Sequence, residues 1–146
     1  MMKKQSTIIT GTVGWDAHII GTKILSRTLK DAGFNVVELG IKTPPEDFIK
    51  AAQETNADAI MMSSMYGMAE FDLKGFKLNC IEAGIGDTLL YIGGMLAVGK
   101  VDFEEVKRKF KDMGFDRVYP QEVDLEMVII ELKKDLNKRI QRRSCR

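Results

Sequence analysis

The sequence predicts an α/β fold: a five-stranded parallel sheet, order 2-1-3-4-5, with helices on both faces. Three observations lead there. Short apolar, β-branched runs alternate strictly with segments of helical period along all 146 residues. Such alternation implies parallel strands joined by right-handed crossovers. The strand-like runs are nearly all apolar, as expected when a sheet is covered on both faces. No internal repeat, linker or low-complexity segment interrupts the pattern. Five strands of this length most often take the flavodoxin-like order. Its chain reversal lies between strands 1 and 3, and ligands bind there, beyond the carboxyl ends of the strands.

The elements follow in order. Thr7 to Val13 is a β-branched strand. His18 to Ala32 reads as a helix with Ile20, Ile24 and Thr28 spaced by four, closed by Gly33. Phe34 to Leu39 is the second strand, ending at Gly40. Thr43-Pro44-Pro45-Glu46 starts a helix, with Thr43 or Pro44 near the cap and acid following. That helix carries Phe48, Ile49 and Ala52 and stops near Asn56; Ala57 to Met62 is the third strand. Ala69 to Ala83 reads as one helix stopped at Gly84, and Thr88 to Ile92 as the fourth strand. Phe103, Val106, Phe110 and Met113 form a helical stripe ended by Gly114. Phe115 to Tyr119 is the fifth strand, and Leu125, Ile129, Leu132 and Leu136 mark the last amphipathic helix. Residues 1–137 are expected to form one domain, with 138–146 a basic tail that reads as a frayed helix end.

Composition narrows the function. Lys and Arg number 22 against 21 Asp and Glu, which disfavours a dedicated nucleic-acid binder. His18 is the single histidine, and Cys80 and Cys145 are far apart, so a closed zinc site cannot be built. Cys80 falls on a helix and reads as inert. The apolar run after the basic N-terminus is too short for a signal peptide, and no stretch approaches the roughly 20 apolar residues that span a membrane. With cysteines that look unpaired, this points to a cytoplasmic protein.

The loops after strands 1, 3 and 4 are where a ligand is expected. They read Gly14-Trp15-Asp16-Ala17-His18-Ile19-Ile20-Gly21, Ser63-Ser64-Met65-Tyr66-Gly67 and Gly93-Gly94-Met95-Leu96-Ala97-Val98-Gly99. Rich in Gly, Ser and Met and poor in charge, they suit a bulky, largely neutral ligand lying against backbone. The glycine pattern of a dinucleotide site is absent after strand 1, and so is a Gly-Lys-Ser/Thr phosphate loop. The phospho-acceptor carboxylate of some domains of this topology is missing too, because strand 3 ends in Met62-Ser63. Asp16 and His18 carry the chemistry. An imidazole can ligate a metal through one nitrogen while the other donates to a carboxylate. Equally, Asp16 can be a helix N-cap, with His18 merely in the first turn. Trp15 reads as a cofactor or partner contact, Tyr66 and Phe71 as interface or loop packing, and most of the methionines as core filling.

Together the loops resemble the signature of cobalamin-binding domains, D-x-H-x-x-G … S-x-L … G-G. Asp16, His18 and Gly21 match its first part, Ser63 its second (with Met65 for Leu) and Gly93-Gly94 its third. Over roughly residues 6 to 137 the chain is most similar to the small subunits of glutamate mutases, through Gly33-Phe34-Asn35-Val36-Val37, Leu90-Tyr91-Ile92-Gly93-Gly94 and Asp116-Arg117-Val118-Tyr119 among others. It departs at Met95, where a polar residue is common, and at Pro120-Gln121-Glu122. The motif begins near the N-terminus, with neither the helical cap of methyl-transferring corrinoid proteins nor an upstream catalytic barrel.

The resemblance implies adenosylcobalamin bound base-off, with His18 replacing the cofactor's own benzimidazole as axial cobalt ligand and Asp16 orienting it. It implies further contacts from Trp15, Ala17, Ile19, Gly21, Ser63, Ser64, Met65, Gly93, Gly94, Met95, Leu96, Ala97, Val98 and Gly99. It also implies a large barrel-type partner subunit in a heterotetramer-like assembly. That assembly would be an isomerase interconverting L-glutamate and (2S,3S)-3-methylaspartate by a radical route, with no catalytic acid or base on this chain. The competing expectations are a cobalamin carrier or sensor without a mutase partner, and an unliganded interaction module in which Asp16 only caps a helix.

Overall fold

The computed structural model describes residues 5–14, 20–64, 69–94, 96 and 102–144. Five parallel strands form one sheet in the order β2-β1-β3-β4-β5. They are β1 Thr7–Thr12, β2 Asn35–Glu38, β3 Ala59–Ser64, β4 Leu89–Gly94 and β5 Arg117–Tyr119. The helices are α1 Ile20–Asp31, α2 Pro45–Thr55, α3 Ala69–Asp72, α4 Phe76–Glu82, α5 Phe103–Asp112 and α6 Leu125–Ser144. The predicted α/β class and strand order are those observed.

Two cores flank the sheet. On one face Ile9, Ile60, Leu90 and Ile92 pack against Phe48 of α2, Phe76 and Cys80 of α4, and Val106 and Phe110 of α5. On the other, Ile8, Ala59, Met61 and Tyr91 pack against Leu29 of α1 and Val128, Leu132 and Leu136 of α6. Strand residues of one parity feed each face, as the two-residue period of a strand requires. Gly11 on β1 is needed for this packing: a Cβ there would lie 2.9 Å from the ring of buried Phe48.

Three details differ from expectation. The segment from Ala69 to Ala83 is two helices, interrupted at Gly75, which takes a left-handed conformation with φ 78. Ile24 does not lie on the buried face of α1, being 52% exposed while Thr22, Ser26 and Leu29 are buried. The reason is a polar seam between α1 and β1: the hydroxyls of Thr10 and Ser26 lie 2.8 Å apart, and those of Thr12 and Thr22 3.1 Å. Hydroxyls that satisfy each other can be buried at little cost. Lastly, the boundary expected after residue 137 falls inside α6, which runs unbroken to Ser144.

Arg139 anchors that last stretch. Its side chain is buried; Nη1 lies 2.6 Å from Asp58 Oδ1 and Nε donates to the Asp87 carbonyl at 2.9 Å. Asp58 Oδ2 in turn accepts the N–H of Thr7 at 3.0 Å, so one carboxylate ties α6 to the start of β1.

Candidate functional site

The register sets the carboxyl ends of the strands side by side. Thr12 pairs with Ser63, Ser63 with Gly93 and Gly93 with Tyr119, forming a row across the sheet. Beside this row, between the sheet, α1 and α6, lies a cleft of about 240 Å³. Leu25 of α1, Met61 of β3, Val128 of α6 and Val123 ahead of it supply apolar walls, and none of the described lining residues is charged. Ile24 also lines it, which explains why this apolar residue is exposed. Ile24 and Leu25 of α1 are therefore a wall of the cleft.

Of the residues singled out from the sequence, Ser63, Gly93 and Gly94 line the cleft. Gly21 lies in the first turn of α1, whose start borders the site. Ser64 is fully buried on β3, off the cleft lining, and its Oγ has no hydrogen-bond partner among the described residues. Leu96 is not brought to the cleft either: it is buried in the core beneath α2, α4 and α5. Trp15, Asp16, Ala17, His18, Ile19, Met65, Met95, Ala97, Val98 and Gly99 lie outside the described residues. Chain connectivity puts Asp16 and His18 between the end of β1 and the start of α1.

The paired glycines have different physical reasons. Gly94 has φ 109, and a Cβ on it would stand 2.1 Å from the Ser64 carbonyl oxygen, so the fold itself demands glycine. Gly93 has ordinary φ, and among the described residues its Cβ would meet only Tyr119, at 3.4 Å from its Cβ and 3.6 Å from its oxygen. The described part of the chain would accept a methyl group there. Gly93 lies two residues beyond Tyr91 and so faces the cleft side of the sheet. Its missing side chain leaves backbone open to a ligand.

Sequence reasoning missed Tyr91 and Tyr119, which both line the cleft. Their rings meet edge to face at 5.9 Å. Tyr91 donates to Asp135, and Tyr119 to Glu131 at 3.0 Å, both acceptors on α6. Arg117 completes the cluster with a bidentate pair to Asp135 at 2.8 and 3.0 Å and a bond to Glu131. Burial, reinforced by the carboxylate acceptors, pushes both phenol pKa values far up, so both stay protonated donors. The hydrogen bond to Asp135 likewise raises the Arg117 guanidinium. At Asp135 burial opposes ionisation, yet the hydrogen bonds from Arg117 and Tyr91 outweigh it and the carboxyl is net lowered. The cluster clamps α6 to β4 and β5 and holds that wall of the cleft. The strand period could have revealed Tyr91, as the residue two before Gly93; the partners on α6 are distant in sequence.

These features fit a bulky cofactor tail. The described lining of the cleft is uncharged and largely apolar, and a backbone surface is left bare at Gly93. Among the described residues no cluster of three or more His, Cys, Asp or Glu could hold a metal ion, and no helix is long and apolar enough to cross a membrane.

Comparison with known proteins agrees. Residues 6–119 match the family model of the B12 binding domain. The chain is 51% identical to the glutamate mutase sigma subunit of Clostridium cochlearium over 134 residues, 92% of this chain and 98% of that one. It is 52% identical to the glutamate mutase sigma subunit of Carboxydothermus hydrogenoformans over 133 residues, 91% and 97% of the two chains. Among solved structures, a cobalamin-binding protein from Desulfitobacterium hafniense superposes with TM-score 0.73 at 22% identity, over 90% of this chain and 60% of that one. The chain thus spans about three fifths of that structure's length, and the likeness concerns the fold. By the family match and by identity over nearly its whole length, the chain belongs to the B12-binding domain family and, within it, to the glutamate mutase sigma subunits.

Proposed function

We propose that this chain carries adenosylcobalamin base-off, with His18 as the axial cobalt ligand and Asp16 holding its imidazole, for a mutase interconverting L-glutamate and (2S,3S)-3-methylaspartate. The observation that carries this reading is the neutral cleft between the sheet, α1 and α6, which ends on the bare backbone of Gly93. When bound, the cofactor supplies a radical by cleavage of its cobalt–carbon bond. The chain's own work is binding and positioning. Ser63 and Gly93 would offer hydroxyl and polar backbone contacts to the cofactor's nucleotide tail, while Leu25, Met61 and Val128 would exclude water from its base. Tyr91 and Tyr119 keep α6 in place against the sheet. Asp16, as acceptor for one imidazole N–H, would fix the tautomer that leaves the other nitrogen free to ligate.

The remaining contacts, from Trp15, Ala17, Ile19, Gly21, Ser64, Met65, Met95, Leu96, Ala97, Val98 and Gly99, belong to the same reading. For Ser64 and Leu96 burial away from the cleft favours an indirect role in shaping the loops. A sigma subunit works with a catalytic partner. We take that partner to be a large barrel subunit that holds glutamate and covers the upper face of the cofactor, in a heterotetramer-like assembly of isomerase activity.

Electron paramagnetic resonance of the Co(II) form tests the ligation. Uniform 15N labelling of the protein should change the axial nitrogen splitting, and His18→Ala should abolish the label-sensitive coupling. A splitting that ignores the label, or survives His18→Ala, refutes axial ligation by His18. Turnover of glutamate by this polypeptide alone would refute the need for a partner.

A further inference from the structure

At the opposite end of the sheet, where β4 and β5 begin, a second cavity of about 370 Å³ is enclosed by α4, α5 and α6. It shares no lining residue with the cofactor cleft. Its walls carry Lys77, Lys111, Arg117, Lys138, Arg139 and Arg142 against Asp87, Asp116 and Asp135. That excess of three positive charges sits in one hollow of a chain whose net charge is +1.

The charges divide by what they already do. Arg117 is held by Asp135 and Glu131, and Arg139 by Asp58 and Asp87, so both are structural anchors. Lys77 is fixed but not neutralised. Its stem packs over Gly114, where a Cβ would come within 2.5 Å, and its ammonium donates to the Gly86 carbonyl at 2.6 Å. Among the described residues the side chains of Lys111 and Arg142 make no hydrogen bond or ion pair, while Lys138 makes no direct bond but acts through its charge on Asp135. Asp116 uses one carboxylate oxygen to accept the N–H of Leu90 at 2.8 Å.

Compensation of helix dipoles explains part of this. Lys111 is in the last turn of α5, where a cation is favourable. It does not explain Lys77, which stands in the first turn of α4, the end where a cation is disfavoured. Nor does it explain why unneutralised cations from three helices meet around one cavity, where like charges repel.

We propose that this cavity binds a compact multivalent oxyanion, a short inorganic phosphate chain, remote from the cofactor. Lys and Arg donors from several sides suit phosphate oxygens. Among the described residues the walls hold no aromatic ring on which a nucleobase could stack, and Leu89 is the only large apolar residue, which argues against a nucleotide as the occupant.

The test is calorimetric titration of the full chain with tripolyphosphate, citrate and orthophosphate at constant ionic strength, with amide shifts mapped by NMR. One saturable site for tripolyphosphate is expected, with shifts near Gly86–Thr88, Lys111 and Arg142. Binding should weaken at least about five-fold in Lys111→Gln and again in Arg142→Gln, the scale of losing one partly screened charge contact. Both positions are exposed, so circular dichroism should show unchanged folding. Saturable tripolyphosphate binding that exceeds citrate supports the phosphate assignment. The proposal is overturned by tighter citrate binding, by no saturable binding, by affinity unchanged from the wild type in both variants, or by capture on anionic vesicles without any tripolyphosphate site. Cobalamin binding in the same variants separates this outcome from any failure of the cofactor assignment.

Discussion

The two adjacent glycines of β4 offer a sharp prediction, because one serves the fold and the other is free to serve a ligand. In Gly94→Ala the new Cβ would be placed 2.1 Å from the Ser64 carbonyl oxygen, where real contacts stay above 3.0 Å, at a φ of 109. The disfavoured φ costs on the order of 1–3 kcal/mol. Relieving the overlap by shifting packed strands adds about 1–3 kcal/mol. A total near 4 kcal/mol should lower Tm by roughly 8–16 °C in a chain of this size, taking about 2–4 °C per kcal/mol. In Gly93→Ala the methyl meets Tyr119 at ordinary contact distance and normal φ, so the loss should stay within about 1 kcal/mol, and reduced unfolded-state entropy offsets part of it. Thermal unfolding of the cofactor-free variants, followed by circular dichroism, measures both. Cobalamin titration by visible absorbance should then show Gly93→Ala binding at least about ten-fold more weakly, equivalent to about 1.4 kcal/mol. If Gly93→Ala melts as low as Gly94→Ala, or binds cobalamin normally, the division of roles between the two glycines is wrong.

Other predictions concern the frame around the cleft. Arg139→Met removes the anchor of α6 and leaves Asp58 without its cation; because both partner carboxylates are partly exposed, about 2–3 kcal/mol is expected, below the range for a fully buried pair, measurable by urea unfolding. Asp135 has a lowered folded pKa, so its stabilising contribution is present above the unfolded carboxylate value of about 3.9 and is lost as pH falls below it. Acid unfolding followed by tyrosine fluorescence should therefore shift to higher pH when Arg117→Gln removes the charge that favours ionised Asp135. Cys80 is fully buried and its thiol is pushed up to about 11, first of all by burial. In a Cys145→Ser background the native protein should be inert to a thiol reagent at pH 8, and urea should expose one reactive group.

The local grammar of the chain was largely legible. Strict alternation of strand and helix led to the sheet order, and the glycines after α1, after α4 and after α5 do stop their helices. Gly75 shows the limit: within a segment of helical period its left-handed conformation splits the helix, and nothing in the apolar spacing marks that. The α1 stripe shows another. The spacing of Ile20, Ile24 and Thr28 marks a helix without fixing its inward face; Thr10 and Thr12 on β1 offer partners to Ser26 and Thr22, and the helix turns that polar side inward. Ile24 is then left to line the cleft.

By itself the sequence determined the parallel sheet, the three loops at its carboxyl edge and the D-x-H-x-x-G, Ser and Gly-Gly signature, because these depend on residues near one another in the chain. Only the tertiary structure decided which glycine has room for a side chain among the described residues and which is forced by a neighbouring strand. It also decided that Ser64 and Leu96 turn away from the cleft while Tyr91 and Tyr119 line it. The basic C-terminal residues proved to continue a helix anchored through Arg139 and to wall a second, cationic cavity. Each of these depends on side chains brought together across strands and helices far apart in sequence, where packing and electrostatic pairing select among options that local pattern leaves equal.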